Sequence, residues 1–121
     1  LDPGVYGLSN ASLDTPWPKV LRCRNALSGL VETDNINSTS LFRLMADRTR
    51  ASVSDVDAGH LPFELARALT APFIVSPDYG TRCSTVVLWS NDGNIELSER
   101  RFDASGDPSG ESRFSFPTGR S

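Results

Sequence analysis

Ser84-Thr85-Val86-Val87-Leu88-Trp89, Asn91-Asp92-Gly93-Asn94 and Ile95-Glu96-Leu97-Ser98-Glu99-Arg100-Arg101-Phe102 decide the fold class. The first run is built of β-branched and aromatic residues and reads as a strand. The Asp-Gly step with its flanking asparagines is a hairpin turn. The second run alternates over its first half and reads as the return strand, with one face wet. Asp103 to Gly110 is a loop of Gly, Ser, Asp and Pro, after which Arg113-Phe114-Ser115-Phe116 alternates again as a third antiparallel strand. Upstream the periodicity is helical. Trp17, Val20, Leu21, Ala26, Leu27, Leu30 and Val31 form one stripe behind a Thr15-Pro16 start, interrupted late by Gly29. Ser38 or Thr39 is expected to cap a shorter helix that buries Leu41, Phe42, Leu44 and Met45. Pro62 opens a third helix that carries Phe63, Leu65, Ala66 and Leu69 and ends near Pro72. Residues 3–9 read as a short strand, and Arg48 to Gly59 as a polar linker, most mobile at Ser54–Asp57. Strand, helices and then a meander make an α+β fold with segregated layers.

The 121 residues, 38% of them hydrophobic, suffice for one small domain and not for two. Lys+Arg 12 against Asp+Glu 15 leaves a net charge of −3, so no nucleic-acid partner is expected. No apolar run approaches the ~20 residues of a membrane-spanning helix. Leu1-Asp2-Pro3-Gly4 lacks the basic start and apolar stretch of a secretory leader; a cytoplasmic protein is expected from the two cysteines read as reduced thiols, not from that absence. The first residue is Leu rather than Met, which suggests a chain cut from something longer. Cys23 and Cys83 are too few for a disulfide framework, and the expectation is two reduced, semi-buried thiols. No CxxC or HxxxH spacing offers a metal site. His60, the one histidine, follows Asp57-Ala58-Gly59 and reads as a solvated loop residue.

Two stretches stand out chemically: Tyr6-Gly7-Leu8-Ser9-Asn10, and Tyr79-Gly80-Thr81-Arg82-Cys83-Ser84-Thr85. An amide can donate to an oxyanion, and a guanidinium offers a fixed fork of donors to a carboxylate. The alternative is that Asn10 caps a turn and Arg82 pairs with Asp78 or Asp14.

The same stretches carry a family resemblance. Gly4-Val5-Tyr6-Gly7-Leu8-Ser9-Asn10-Ala11 with Leu13-Asp14-Thr15-Pro16-Trp17-Pro18-Lys19-Val20 resembles the NRDE family, also called the transport and Golgi organisation family. Ser76-Pro77-Asp78-Tyr79-Gly80-Thr81-Arg82-Cys83-Ser84-Thr85-Val86 is similar to its second block. Glu99-Arg100-Arg101-Phe102-Asp103 and Arg113-Phe114-Ser115-Phe116 resemble its C-terminal end. The Met-Cys-Thr start and Asn-Arg-Asp-Glu motif of that family are absent. Residues 1–121 therefore resemble the C-terminal portion of one family domain, without the half that bears the nucleophile. Such a half-domain is expected to leave one sheet face in need of partners from the upstream half.

The family in turn resembles the N-terminal-nucleophile hydrolases of the bile-salt hydrolase and penicillin V acylase branch. That likeness implies part of a four-layer αββα sandwich and an amidohydrolase or acyltransferase whose N-terminal cysteine lies outside this chain. On this likeness Asn10 supports the oxyanion and Arg82 positions the nucleophile region. Tyr6, Ser9 and Tyr79 contact a small amide or acyl substrate, and Cys83 is not the nucleophile. No cofactor is implied by this reading. The family's eukaryotic members imply a competing one, a non-enzymatic protein handling haem or lipid, or a scaffold for secretory-pathway partners. For haem the chain offers only His60, Met45, Tyr79, Cys23 and Cys83, with no CxxCH.

Overall fold

The computed structural model describes residues 2–9, 17–57, 59–77 and 79–118. Three helices, α1 (Pro18–Glu32), α2 (Ser38–Met45) and α3 (Phe63–Ala68), precede three strands, β1 (Cys83–Trp89), β2 (Asn94–Phe102) and β3 (Pro108–Pro117). The sheet is antiparallel in the order β1-β2-β3, so the class is α+β with segregated layers, as expected.

The Thr15-Pro16 start falls outside the described residues. α1 is first seen at Pro18, a proline in the first turn where its missing N–H costs nothing. Its stripe is narrower than expected: Val20 is buried, but Ala26 and Val31 face solvent. Gly29 does not end the helix, because the Thr33 hydroxyl donates to the Gly29 carbonyl at 2.8 Å and closes the last turn.

α2 starts one residue earlier than the expected caps. Asn37 is the N-cap: its Oδ1 accepts from the Ser40 N–H at 2.8 Å, and Ser40 Oγ accepts from the Asn37 N–H at 3.1 Å. This is a capping box with serine where glutamate is usual. Asn37→Ala is expected to cost about 1 kcal/mol. Asn37→Asp should restore most of it, with thermal denaturation of the three proteins as the check.

α3 is short. It ends at Ala68, buries Ala66 and Ala68, and leaves Phe63 exposed, contrary to the expected stripe. The linker before it is anchored rather than loose. The Arg50 guanidinium donates to the Val75 carbonyl, the Ala51 N–H to Thr70 Oγ1, and Arg67 Nε to the Ala51 carbonyl. Within the stretch expected to be most mobile, Val53–Asp55 forms a 3-10 turn, with the Ser52 hydroxyl bonded to the Asp55 carboxylate at 2.7 Å.

Residues 3–9 are not a strand. The Tyr6 hydroxyl donates to the Asp2 carbonyl at 2.7 Å, which curls the segment on itself. Gly7 lies against α1 so closely that a Cβ there would stand 2.6 Å from Val20 Cγ1, so a close approach requiring glycine is present.

The hairpin turn forms where expected. Gly93 N–H donates to the Ser90 carbonyl, and the Asp92 carboxylate takes the Ser90 hydroxyl at 2.6 Å and the Asn94 N–H at 3.0 Å. Those bonds hold the Asp92 carboxyl below its usual range. β3 begins at Pro108, five residues before the expected Arg113, because β2 pairs with it along its whole length.

The chemical alternation of β2 is present, but no wet face accompanies it: Ser98 is buried and the other residues of the strand are half-buried. Ser84, Val86 and Ser98 lie on the side that the helices cover, and Ser98 is 0% exposed with a hydroxyl that has no partner among the described residues. On the same side the Arg100 guanidinium stacks 4.3 Å over the Phe42 ring while its Nε reaches Glu111 at 2.7 Å, and Arg113 approaches the Ser38 hydroxyl. Pairing with Arg100 holds the Glu111 carboxyl below its usual range. Aliphatic stems and the guanidinium plane seal this layer while the charged ends reach water.

Candidate functional site

Two concavities divide the expected site residues. The first is a polar cavity of about 120 Å³ lined by Tyr79, Thr81, Arg82, Phe102, Asp103 and neighbouring loop residues. Its wall is a tight tongue. Val75 and Gly80 form a bridge, and the Thr81 N–H donates to the Ile74 carbonyl while Thr81 Oγ1 accepts from the Ile74 N–H, both at 2.9 Å. The Phe102 N–H donates to the Arg82 carbonyl at 2.8 Å, so the backbone of Arg82 is already set by the sheet. Its guanidinium is exposed and has no hydrogen bond or ion pair among the described residues. The alternative partners Asp78 and Asp14 lie outside those residues. A guanidinium that lines the same cavity as a phenol, and has no partner among the described residues, suits a carboxylate or a polarised carbonyl.

The second is an apolar groove of about 410 Å³ between α1, α2 and the free edge of β1. Leu27, Leu41, Leu44 and Met45 form its walls, and Tyr6, Cys23 and Val87 also line it. α2 was expected to bury its apolar side fully. Only Phe42 is buried, while Leu41, Leu44 and Met45 are half-buried because they face this groove.

The two tyrosines expected to share one site are therefore placed in different concavities, Tyr6 in the groove and Tyr79 in the polar cavity. Ser9 is half-buried and lines neither, and Asn10 lies outside the described residues. Asp103, which joins Arg82 from the far end of β2, was not found by sequence reasoning. Its turn chemistry is visible, but its nearness to Arg82 depends on strand register.

Both cysteines are free; Cys23 is half-buried, and Cys83 is exposed rather than semi-buried, on the outer face of β1. Burial, and then the charge of Asp47, push the Cys23 thiol up against the opposing pull of Arg22 and Lys19. A thiol so held is protonated near neutrality and a poor nucleophile. Among the described residues no cluster of three or more His, Cys, Asp and Glu side chains could hold a metal, and His60 sits on an exposed turn.

Beside the groove, Arg22 Nε meets Asp47 Oδ2 at 2.7 Å, and the Thr49 N–H donates to Oδ1 at 2.9 Å. Burial raises the Asp47 carboxyl, but the bonds from Arg22 and Thr49 outweigh it and hold it below the usual carboxylate range. A depressed carboxyl stabilises the fold above its unfolded pKa of about 3.9 and loses that contribution as pH falls through the folded value. The pair is partly exposed, so Arg22→Ala should cost at most about 1 kcal/mol at pH 7. The difference from wild type should shrink as pH is lowered from 7 into acid, through the depressed folded pKa of Asp47, and shrink in 1 M salt. Urea melts at pH 7 and in acid test this, and an equal cost at both would assign Arg22 a packing role.

The geometry defines an α+β domain with a polar, arginine-bearing cavity and an apolar groove, and among the described residues no helix is long and apolar enough to cross a membrane. The family model for Transport and Golgi organisation 2 matches residues 1–104, and the chain belongs to that family. It is 33% identical over 108 residues to the Transport and Golgi organization protein 2 homolog of Bos taurus, and 30% identical over 109 residues to that of Homo sapiens. Each match covers 83% of this chain and 39% of the relative, so the chain spans about two fifths of the length of these relatives. The likeness to N-terminal-nucleophile hydrolases rests on sequence motifs alone.

Proposed function

We propose that this chain supplies the binding surface for an amphipathic, acyl- or lipid-like small molecule whose apolar part lies in the groove between α1, α2 and β1. The groove itself carries this reading: its volume lies within the range of small-molecule sites, and its walls are aliphatic. The word transport in the relatives' names is compatible with a carrier role. Haem fits less well. Cys23 and Met45 share the groove, but the Cys23 thiol is held protonated, and neither His60 nor Tyr79 lines it. A cytoplasmic setting and the absence of a nucleic-acid partner belong to the same reading, in keeping with two free thiols and a charge of −3.

The test is titration with a fluorescent fatty acid. Leu44→Asp and Leu27→Asp are each expected to weaken binding roughly tenfold or more, since burying a leucine side chain is worth about 1.5–3 kcal/mol and 1.4 kcal/mol is tenfold. Unchanged affinity in both variants, with the far-ultraviolet circular dichroism of wild type, would remove the groove from the function.

A second reading, acyl transfer or amide hydrolysis by the longer family protein, is favoured by the exposed guanidinium of Arg82, which lines the polar cavity and has no partner among the described residues. There the nucleophile is an N-terminal cysteine outside these residues, Asn10 donates to the oxyanion, and Arg82 with Tyr79 orients the acyl substrate. Arg82→Ala in the whole protein is expected to abolish turnover while stability stays within about 0.5 kcal/mol, as for an exposed side chain with no partner among the described residues. If folding is lost instead, Arg82 is structural. Intact-mass measurement after exposure to a thiol-reactive amide probe separates the readings, since the absence of an adduct on a terminal cysteine excludes the enzyme.

A further inference from the structure

The apolar groove between α1, α2 and β1 carries a charge that an aliphatic slot does not need. Arg24 lines it, and among the described lining residues it is the one Lys, Arg, Asp or Glu. Val20, Arg24 and Leu27 stand four and three residues apart on α1, so Arg24 lies on the stripe that packs, and it is half-buried. The elements that wall the groove repeat the bias. α1, α2 and β1 carry Lys19, Arg22, Arg24 and Arg43 against Glu32 alone, in a chain whose net charge is −3. Asp47, just beyond α2, is engaged by Arg22 at 2.7 Å and does not line the groove. An arginine in such a wall can do one of two things. Its stem covers apolar surface while its head reaches water, or its head meets the polar end of a bound chain. A guanidinium has five N–H donors in a planar fork, so it can meet a neighbour in the chain and a two-oxygen head group at once.

We propose that Arg24 selects the ligand of this groove by charge: the occupant is a single-chain amphiphile with an anionic, two-oxygen head, a carboxylate or a phosphate monoester. Its alkyl chain lies along Leu27, Leu41 and Leu44 while the head meets the Arg24 guanidinium. The proposal rests on the reading of the groove as a small-molecule site and names the ligand class and the residue that reads it. Charge complementarity favours this occupant over a neutral or a cationic one. Beside aliphatic walls a charge-assisted pair is stronger than in open water. An alcohol offers the fork only a weaker, single acceptor, and a cationic head is repelled by Arg24 and by the basic residues of α1 and α2. The overall charge of −3 repels anions at long range, so the preference has to come from the wall itself. A contact of that kind acts well within the Debye length of ~8 Å at 0.15 M salt and survives there.

Isothermal titration calorimetry tests it with decanoate, decyl phosphate, decanol and decyltrimethylammonium, each kept below its solubility and micelle limits. In the wild type the two anions should bind about tenfold to a hundredfold tighter than the alcohol, and the cation should bind weakest. Decanoate against decyl phosphate shows which oxyanion the site prefers, and either preference supports the proposal. Arg24→Gln should bring the anions down to the affinity of the alcohol and leave the alcohol unchanged. Arg24→Lys should keep the order of anion, alcohol and cation with a smaller gap, because an ammonium lacks the planar fork. Leu44→Ala is the contrast and should weaken the alcohol and the anions by the same factor. Equal affinity for anions and alcohol in the wild type overturns the proposal and leaves the groove standing. So does a loss in Arg24→Gln that is the same for every probe, which makes Arg24 a packing residue of the wall. Failure of every probe to bind the wild type overturns the reading of the groove, and the role of Arg24 with it. Circular dichroism checks each variant. If Arg24→Gln does not fold, the order of affinities in the wild type and in Arg24→Lys decides.

Discussion

Replacing Phe73 with alanine is expected to cost about 3–5 kcal/mol, the range for deleting a buried aromatic ring. The ring is 2% exposed and meets Phe102 edge to face, with centroids 4.7 Å apart at 86°. The Arg48 guanidinium covers its other side at 5.1 Å. Its own N–H donates to the Asp47 carbonyl at 2.7 Å, so the ring sits where the segment after α2, the loop before β1 and the end of β2 converge. Alanine would remove the hydrophobic burial, the edge-to-face contact and the cation–π contact together. Small domains hold only about 5–15 kcal/mol in total, so a large fraction of the variant should be unfolded near its working temperature. Urea denaturation checks this, with Phe73→Leu as the control expected to lose less than half as much. A loss under about 1.5 kcal/mol for Phe73→Ala would mean that the surroundings collapse to fill the space.

Gly106→Ala should be the second most damaging change, at about 2–4 kcal/mol. Gly106 has φ +83°, where a side chain costs about 1–2 kcal/mol. Its Cβ would also stand 2.9 Å from Val75 Cγ2, 3.1 Å from Arg48 Nη2 and 3.3 Å from Phe73 Cε1, crowding worth a further ~1–2 kcal/mol. The Arg48 guanidinium donates to the Gly106 carbonyl at 3.0 Å, so pushing it aside also loosens the β2–β3 turn. The two contributions separate in a double-mutant cycle. Val75→Ala should recover part of the loss if crowding contributes. Strict additivity would place the whole cost in the backbone. Because Asp103, Phe102 and Gly106 all line the polar cavity, the same variant should alter any ligand affinity of Arg82.

The strands and helices were legible where local chemistry agreed with the final pairing. Ser84 to Trp89 and the Asp92-Gly93 turn could scarcely be anything else. Gly110 to Ser112 have no such preference, and they become strand because β2 is long enough to pair with them. The segment 3–9 has strand-like residues, but Tyr6 bonds back to Asp2 and Gly7 lies against Val20. Arg82 and Tyr79 are neighbours along the chain and were legible as a pair. Asp103 joins them only through the antiparallel register, and Tyr6 is taken away from them into the groove.

Alternation along β1, β2 and β3 is a property of the sequence, and with it the existence of one apolar and one mixed face. Which face the helices would cover is not written in any single strand. It follows from Arg100 lying over Phe42 and Arg113 approaching Ser38, which let polar sheet positions seal against the helices. That packing leaves Trp89, Val87, Phe114 and Phe116 open. Local sequence determined the elements and their two-sided character, because side-chain period and turn chemistry act over a few residues. Only the tertiary structure decided which side is inside, because that choice depends on contacts between segments far apart in the chain, such as Phe42 with Arg100 and Ser38 with Arg113.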